Sequence, residues 1–425
     1  MAEKIKNFSE IGTTSLRRNA LGIIEAGLGA IDTEFAIKNS IRLEGEVLAI
    51  KEETIPLSEI NNVFVVGIGK CALLAARALE EILGERLKGG VAVDVREGEL
   101  KKIKTFKGDH PYPSQKNVEA TNAIMTLISK LKSDDLVIFV VSGGGSTLLC
   151  QPTNFKFEAE IKFMDCLFKK GADIFEINTV RKHISLARGG QLAKYAYPAT
   201  IVSLIFSDVS GDDLEFIASG PTVRDTTTVK DAQKILEKYG CDFPVASLVE
   251  TPKDDKFFEK AKTILIVNNK IALEAMRQKA ENLNYSAKIM TSELRGEARE
   301  VAREIINDLN KEERSFVLLY GGETTVTVGV DGKGGRNQEL ALAALHRIKE
   351  NQLVLALASD GRDNTDFAGA IADASTKTKA RKLNLDPEAH VLGNNSYDFF
   401  SKTGDYVLTG DTGSNVSDLI VAIND

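Results

Sequence analysis

The sequence lacks the features that mark exported, membrane-spanning or nucleic-acid-binding proteins. No apolar run reaches the roughly 20 residues that a membrane-spanning helix needs. The first ten residues hold acidic side chains and no uninterrupted apolar core, so an export signal is not expected. Acidic residues outnumber basic ones and give a formal net charge of −7, which argues against nucleic acid or an anionic membrane as a partner. We therefore predict a cytoplasmic protein.

Cysteine and histidine are scarce, at four residues each. The cysteines show no C-x-x-C spacing, which predicts reduced, structural thiols, and the histidines are isolated from one another, so a metal held by Cys or His is not expected. For His110 and His183 a structural role is preferred over that of a general base, because neither has a partner nearby in the sequence. The residues concerned are Cys71, Cys150, Cys166, Cys241, His110, His183, His346 and His390.

Strand-like and helix-like segments alternate along most of the chain. This alternation predicts parallel β-α-β units, with a Rossmann-like, largely parallel sheet in the first part of the chain. A chain of 425 residues is longer than one hydrophobic core usually spans, so we expect two α/β/α domains. They are residues 1–255 and a smaller domain of residues 256–425, with a site in the cleft between them. A looser stretch at 244–255 is the predicted connector. The predicted strands are 63–66, 91–95, 136–141, 201–206, 263–267, 287–290, 316–319, 353–358, 405–408 and 419–423; the predicted helices are 16–28, 72–83, 118–131, 159–170, 190–196, 271–283, 296–309, 338–348 and 396–402.

Polar, glycine-rich loops follow six of the predicted strands. Ligands bind at the carboxyl edge of open α/β sheets, so six such loops indicate a functional edge in each half of the chain, whereas one alone would be ordinary turn chemistry. The loops are residues 67–70, 142–146, 207–213, 320–323, 359–363 and 409–415.

The first of these loops forms a G-x-G-x-x-A fingerprint with Gly67 and Gly69, which predicts a Rossmann-like amino-terminal domain. An anion is expected at the following helix start, with Lys70 as its positive charge and Asp94 as a possible ribose acceptor. The alternative for Lys70 is a solvated lysine at a helix start. Backbone amides and hydroxyls of a second loop suit a phosphate: Ser142, Gly143, Gly144, Gly145 and Ser146.

Carboxylates and basic side chains complete the predicted site. Asp208, Asp212 and Asp213 suit Mg²⁺ coordination or a base for a hydroxyl, although Asp212 or Asp213 could instead cap a helix. In the segment 320–340, Glu323 is a further metal or base carboxylate and Arg336 a clamp for an anion, unless Arg336 only pairs with Glu339. Asp360 is one more acidic candidate. Phosphoryl transfer needs this combination of donors, acids and positive charge.

Four blocks of the sequence resemble the class II glycerate kinases, the glycerate 2-kinases with a carboxy-terminal MOFRL domain. The blocks are residues 178–190, 207–222, 321–326 and 334–339, and the resemblance covers nearly the whole chain. It implies ATP- and Mg²⁺-dependent phosphorylation of D-glycerate to 2-phosphoglycerate. By matching blocks it implies Lys70 and Arg336 as the essential basic residues and the Asp208/Asp212 loop as the essential acid, and we take these four as the catalytic residues. Our hypothesis adds one or more of Asp208, Asp212 and Glu323 as metal ligands. The predicted substrate-binding residues are Arg181, Glu323, Arg336 and Asn337.

Departures from the family pattern bear on substrate selectivity. They are Ser114, Asp411 and a shortened segment 359–366. Three other functions stay open: phosphorylation of the 3-hydroxyl, an NAD(P)H-dependent hydroxypyruvate reductase built on the 67–72 fingerprint, and a two-domain hydroxy-acid sensor without chemistry. The sequence leaves open the donor nucleotide, a monomer or homodimer, and which carboxylate binds metal.

Overall fold

The structure is a computed structural model that describes residues 3–209, 211–241, 247–329 and 332–425. Parts of three predicted segments lie outside these residues: 244–246 of the connector, Ser210 of the acidic loop, and 330–331 of the segment 320–340. The strands are β1 (Ile41–Glu44), β2 (Val47–Ile50), β3 (Glu53–Pro56), β4 (Asn62–Ile68), β5 (Leu87–Asp94), β6 (Ile103–Lys107), β7 (Asp135–Ser142), β8 (Thr200–Phe206), β9 (Ala261–Val267), β10 (Ser286–Leu294), β11 (Phe316–Gly322), β12 (Gln352–Ala358), β13 (Gly369–Asp373), β14 (Tyr406–Val407) and β15 (Asp418–Asn424).

Helices alternate with these strands along the chain. They are α1 (Phe8–Ile11), α2 (Ser15–Ala30), α3 (Thr33–Ser40), α4 (Ala72–Leu83), α5 (Gln115–Ile128), α6 (Gly145–Leu148), α7 (Phe157–Lys169), α8 (Ile174–His183), α9 (Gln191–Ala196), α10 (Val229–Tyr239), α11 (Asn269–Asn282), α12 (Ala298–Leu309), α13 (Arg336–Leu345), α14 (Ala374–Lys382), α15 (Pro387–Leu392) and α16 (Ser396–Thr403). Within the described residues, none of these helices is both long and apolar enough to cross a membrane.

The chain divides into two compact units. Unit I runs from Ala36 to Ile266, and unit II combines the residues up to Phe35 with Val267–Asp425. The predicted division at 255/256 differs from this one at both ends, because the opening helix α2 packs on α11 and belongs to unit II. The alternating sequence pattern gave no sign that the first residues join the second half.

Unit I is built on a six-stranded sheet in the order β6-β5-β4-β7-β8-β9. The pairings from β6 through β8 are all parallel, as the alternation of strands and helices predicts. Its central strands are buried on both faces, and β7 has no exposed residue because helices cover a parallel sheet on both sides. The predicted strand 263–267, assigned to the second half, is β9 and instead forms the edge of this sheet. An antiparallel meander, β1 to β3, was not predicted.

Unit II has a mixed six-stranded sheet in the order β10-β11-β15-β12-β13-β14. Among the described residues, β10 and β11 form the one parallel pair of strands in this sheet. Strand β15 lies between β11 and β12 and is antiparallel to both. The carboxyl ends of β11 and β12 therefore meet the amino end of β15 at one edge, where both Gly322 and Ala358 are opposite Asp418. Helices α12, α13 and α16 pack on this sheet through a core that includes Leu340 and Phe399.

A disulfide joins Cys166 of α7 to Cys241, which follows α10, across a sequence separation of 75 residues. The prediction of four reduced thiols is therefore wrong for this pair. Cys71 and Cys150 are buried and form no disulfide within the described residues, as expected for structural thiols. The spacing of Cys166 and Cys241 gave no signal, because only the packing of α8 against α10 and α7 brings them together.

Candidate functional site

Three predicted loops meet at the carboxyl edge of the sheet in unit I. The register aligns Ile68 with Val141 and Ser142 with Phe206, so β4, β7 and β8 end side by side. The loops are also bonded to one another, since the Lys70 amide donates to the Gly143 carbonyl at 2.9 Å. The sequence-based prediction that these strand ends form one edge is confirmed.

Gly67, Gly69 and Ser142 shape this edge. A Cβ on Gly67 would lie 3.1 Å from the Cβ atoms of both Ala72 and Ala92, so the glycine permits close contact between strand and helix. Gly69 has φ +117°, and a Cβ there would clash with Ser142. The Ser142 hydroxyl is buried, donates to the Ile68 carbonyl at 3.3 Å and accepts from the Cys71 amide at 3.3 Å. The predicted contact of the Ser142 hydroxyl with phosphate is thus replaced by a structural role.

Asp94 is not placed to bind a ribose. Its buried carboxylate accepts hydrogen bonds from the Leu73 amide at 2.9 Å and the Arg96 amide at 3.0 Å. Burial raises its pKa. The interpretation of Asp94 as a ribose acceptor is therefore wrong, because the carboxylate secures the start of α4.

Lys70 lies across the glycine-rich turn. A Cβ on Gly144, which has φ +79°, would meet Cγ and Cε of Lys70 at 3.1 and 3.2 Å, and Cδ2 of His110 at 3.4 Å. The lysine stem and the imidazole therefore both border Gly144, and a side chain at this position would fill the space between them. Burial and the nearby Lys70 charge lower the pKa of His110 to about 4, so its imidazole is neutral at pH 7.

Asp208 reaches the same turn from the neighbouring strand end. A Cβ on Gly143 would clash with the Asp208 carboxylate, so this acid lies directly over the glycine. Asp212 has φ +56° in the following turn. Asp213 accepts from the Glu215 amide at 3.0 Å, so it shapes a turn and does not cap a helix. Lys70, Gly143, Gly144 and Asp208 thus form one group, called the lysine–aspartate edge below.

The block 178–190 contributes through helix α8. Ser219 donates to Asn178 Oδ1 at 2.8 Å, and its hydroxyl lies 2.8 Å from that of Ser146. Ser146 therefore connects the glycine-rich turn to this block. Arg181, on the same helix, lines a cavity that also reaches Ser146.

The residues after Arg181 are structural, and sequence reasoning missed their network. Lys182 is buried and pairs with Asp225 at 2.6 Å and Glu215 at 3.1 Å. The His183 Nδ1 atom lies 2.9 Å from the Val249 carbonyl oxygen, and burial lowers the pKa of its imidazole. The preferred structural role for His183 is confirmed. Asp225 follows no predicted strand, so the pattern offered no signal for it.

Unit II places its functional residues where β11 and β12 meet β15. Arg336 opens helix α13 and binds Asp418 through two bonds, Nε–Oδ2 at 2.6 Å and Nη2–Oδ1 at 2.9 Å. Its Nη1 atom pairs with Glu323 at 2.9 Å. Arg336 does not pair with Glu339, whose carboxylate instead binds Arg299 at 2.6 Å. Glu323 thus serves Arg336 here, and its predicted role as a metal ligand stays a prediction.

Asn337 is fully buried, which contradicts a direct contact with substrate in this conformation. Its side-chain amide donates to Asp418 at 2.8 Å and to Asp363 at 3.2 Å. Asp363 in turn accepts from the backbone amides of Asn337 and Gln338 at 3.1 and 2.8 Å, so it caps α13. Asn337 therefore positions the carboxylate that holds Arg336.

Asp363 and Asp418 were not singled out in the sequence. The signal for Asp363 was its place in the predicted polar loop 359–363. The signal for Asp418 was its place at the start of a strand, directly before the last apolar run. Burial raises the pKa of Asp418 to about 6, although its bonds to Arg336 act in the opposite direction. Asp360, a further predicted acid, accepts from the Arg362 amide at 3.0 Å and shapes the turn.

No group of three Asp, Glu, His or Cys side chains able to hold a metal occurs in the described part of the chain. Magnesium commonly uses only one or two carboxylates and completes its shell with phosphates and water. The donor set at the lysine–aspartate edge fits that pattern, with the Asp208 carboxylate beside a glycine turn and Asp212 in the same loop.

An α/β protein with a lysine, a glycine turn and an acid at a parallel sheet edge belongs to the class that binds anionic small molecules. Comparison with known proteins narrows this class. Residues 19–251 match a domain of unknown function (DUF4147), and residues 316–418 match the MOFRL family.

Relatives that match over nearly their full length include proteins named glycerate kinase or glycerate 2-kinase, and one from Agrobacterium vitis, 35% identical over 95% of this chain and 94% of that protein, is named a putative hydroxypyruvate reductase. The chain is 38% identical to glycerate 2-kinase from Pyrococcus horikoshii, covering 96% of this chain and 97% of that protein. It is 36% identical to D-glycerate 2-kinase from Thermotoga maritima, covering 96% and 98%. A crystal structure of glycerate kinase from Thermotoga maritima matches with a TM-score of 0.87 at 35% identity, over 95% of this chain and 98% of that one. The chain belongs to the glycerate kinase family, as its sequence blocks predict.

Proposed function

We propose that this protein is a glycerate 2-kinase, which transfers the γ-phosphoryl group of ATP to the 2-hydroxyl of D-glycerate with Mg²⁺. The observation that carries the proposal is the lysine–aspartate edge, where Lys70 lies across Gly144 and Asp208 lies over Gly143. A cation and an acid on one glycine turn provide a binding charge for phosphate and an acceptor for a proton. Family membership supports the choice of substrates.

Each group at this edge has a role in the reaction. Lys70 binds the phosphates of the donor, and the turn from Gly143 to Ser146 supplies backbone donors to them. Asp208 accepts the proton of the 2-hydroxyl as its oxygen bonds to the γ-phosphorus and the bond to the β-phosphate oxygen breaks, leaving ADP. Asp208 and Asp212 would hold Mg²⁺, which neutralises charge on the phosphates when bound.

Unit II contains a second candidate positive charge for an anion. Arg336 keeps its planar group fixed by Asp418, while Nη1 pairs with Glu323, whose side chain is 55% exposed. An incoming carboxylate or phosphoryl oxygen can replace Glu323 at Nη1 without disturbing the bonds to Asp418. We therefore assign Arg336 to the glycerate carboxylate or the moving phosphoryl group and Glu323 to its resting partner.

Phosphorus NMR of a reaction with ATP, Mg²⁺ and D-glycerate tests the proposal. The expected product is 2-phosphoglycerate, formed together with ADP. A 3-phosphoglycerate signal would reverse the regiochemistry, and no phosphorylated product would refute the kinase. Oxidation of NADH by hydroxypyruvate, followed by absorbance, tests the reductase; we expect none, because the Asp94 carboxylate is held by two backbone amides.

A further inference from the structure

A cavity of about 250 Å³ in unit I lies next to the lysine–aspartate edge. Ser146 and Thr147 of the glycine-rich turn form one end of it, and Pro111, which follows His110, forms a neighbouring wall. The Thr147 hydroxyl donates to the Pro111 carbonyl at 3.3 Å, so these two walls are bonded together. A molecule whose phosphates bind at Lys70 can therefore extend directly into this cavity.

The size of the cavity favours the larger of the two substrates. Its volume equals about eight water molecules at roughly 30 Å³ each. Bonded atoms pack more closely than water molecules, so glycerate would fill less than roughly half of this space, whereas a nucleoside would nearly fill it.

The lining also suits a nucleoside better than a hydroxy acid. Helix α7 contributes the apolar side chains of Ile161, Met164 and Phe168, and the loop before α5 contributes Tyr112. Phe168 and Tyr112 are 76% and 55% exposed, so both rings are accessible to a planar base. Any nucleic-acid base can stack on such rings, because every base has an aromatic face. Apolar walls, by contrast, provide no hydrogen-bond partner for the hydroxyls of glycerate.

Three charged side chains also line the cavity, Glu160, Asp165 and Arg181, and Glu160 is paired with Arg188 at 2.8 Å. Asp165 lines it beside the apolar residues, and carboxylates at such sites accept hydrogen bonds from ribose hydroxyls. Arg181 forms no hydrogen bond or ion pair within the part of the chain that the structure describes. Burial and the nearby Arg188 lower the pKa of Arg181 to about 10, so it remains a cation at neutral pH. A phosphate oxygen of the nucleotide would satisfy it.

We propose that this cavity is the nucleoside subsite of the donor, with the base against Tyr112 and Phe168, the ribose at Asp165 and a phosphate oxygen at Arg181. The inference rests on the proposed function only in taking a nucleotide as the donor. It assigns Arg181 to the donor, whereas the family resemblance implies a substrate-binding role.

Filling the cavity tests the assignment. Ile161→Trp adds bulk to the cavity wall, and Lys162→Trp places the same side chain on the exposed face of the same helix as its control. Calorimetry should show ATP binding at least tenfold weaker in Ile161→Trp and unchanged in Lys162→Trp. Tripolyphosphate, which has no nucleoside, should bind equally to the wild-type protein, Ile161→Trp and Lys162→Trp. Phe168→Ala, at an exposed position, should weaken ATP binding about fivefold or more through lost stacking.

Each contrary result has a defined meaning. Unchanged ATP binding in both Ile161→Trp and Phe168→Ala overturns the subsite, and so does a raised KM for D-glycerate with an unchanged KM for ATP. Weaker binding of tripolyphosphate in Ile161→Trp would show that the cavity serves the phosphates alone. Because ATP binding is measured without glycerate, loss of the proposed kinase activity in the wild-type protein would leave this test intact.

Discussion

Arg336 is the side chain of unit II to which we assign the most direct role in the proposed reaction, binding of the glycerate carboxylate or the moving phosphoryl group. Arg336→Ala is expected to lower kcat/KM by on the order of 10²–10³, because a fixed positive charge on the transition state is lost. Arg336→Lys keeps the charge but not the paired bonds to Asp418, so it should recover only part of the activity. Arg303→Ala, which removes a surface pair with Glu300, is the matched control. Near-native turnover in Arg336→Ala would contradict the role.

The pH dependence of the reaction should reveal Asp418. Its pKa is raised to about 6, so its carboxylate is ionised above that pH and loses its charge below it. Since the ionised form holds Arg336, kcat/KM should fall as pH decreases through about 6.

Two variants separate Asp418 from His110 in that profile. His110 has a pKa of about 4 and stays neutral above it, so His110→Asn should keep the acid limb near pH 6. Asp418→Asn should remove the limb together with much of the activity. A limb that disappears in His110→Asn and persists in Asp418→Asn would reverse the assignment.

Gly143 tests the placement of Asp208. A methyl group on Gly143 would clash with the Asp208 carboxylate, so Gly143→Ala is expected to displace the acid and reduce kcat more than tenfold. Gly89→Ala, in strand β5 of the same sheet, meets its nearest atom at 3.5 Å and should retain activity. Steady-state kinetics and thermal unfolding of both variants distinguish a displaced acid from a destabilised fold.

Sequence patterns identified the glycine turns and the acids after strands because these features are local. Lys70 and Asp208 lie where strands end and Arg336 lies where a helix begins, and the order of apolar runs shows these places directly. Asp418 and Asp363 could not be identified in this way, since their importance arises from partners 82 and 26 residues away in sequence. The burial of Asn337 likewise depends on two distant acids.

Secondary structure elements were predicted best where a strong pattern of apolar residues in the sequence corresponds to a buried face of the helix or strand. Helix α4 coincides with the predicted 72–83, and strands β7 and β8 match closely because most of their residues are apolar. Strand β9 was assigned to the wrong sheet, since an apolar run does not specify its neighbours. The strands β1 to β3 were missed because such short segments give weak periodicity, whereas helix α10 was missed although Ala232, Ile235 and Leu236 have helical spacing.

The Cys166–Cys241 disulfide links α7 to the residue that follows α10. Closing a loop of this separation stabilises a folded chain by up to about 4 kcal/mol in the chain-entropy description. Adding a reductant should therefore lower the melting temperature of the protein. The double variant Cys166→Ser with Cys241→Ser should melt at the lower temperature whether or not reductant is present. Equal melting of the wild-type protein in both conditions would show that the bridge does not form in solution.

The division of the chain depends on the ion pairs of Arg17. This buried residue of α2 binds Asp373 through Nε and Nη2, both at 2.7 Å, and Asp405 at 2.6 Å, so it ties the amino-terminal helix to β13 and to the residue before β14. Asn7 adds bonds on either side of Val407, to the Tyr406 carbonyl and from the Leu408 amide. These contacts explain why residues up to Phe35 belong with the second half of the chain.

Removing the Arg17 side chain should weaken unit II specifically. Arg17→Ala leaves the buried Asp373 carboxylate without its cation and leaves Asp405 with Lys379 alone, and breaking a buried pair in this way costs about 3–5 kcal/mol. Arg18→Ala, the neighbouring exposed arginine, should change stability by less than about 0.5 kcal/mol. Denaturant unfolding measures both, and amide exchange should show the loss of protection in β13 and α14 while β4 and β7 of unit I keep theirs. Equal loss in both units would mean that Arg17 supports the protein as one cooperative body, and no loss would show that α2 is held to unit II by its apolar contacts alone.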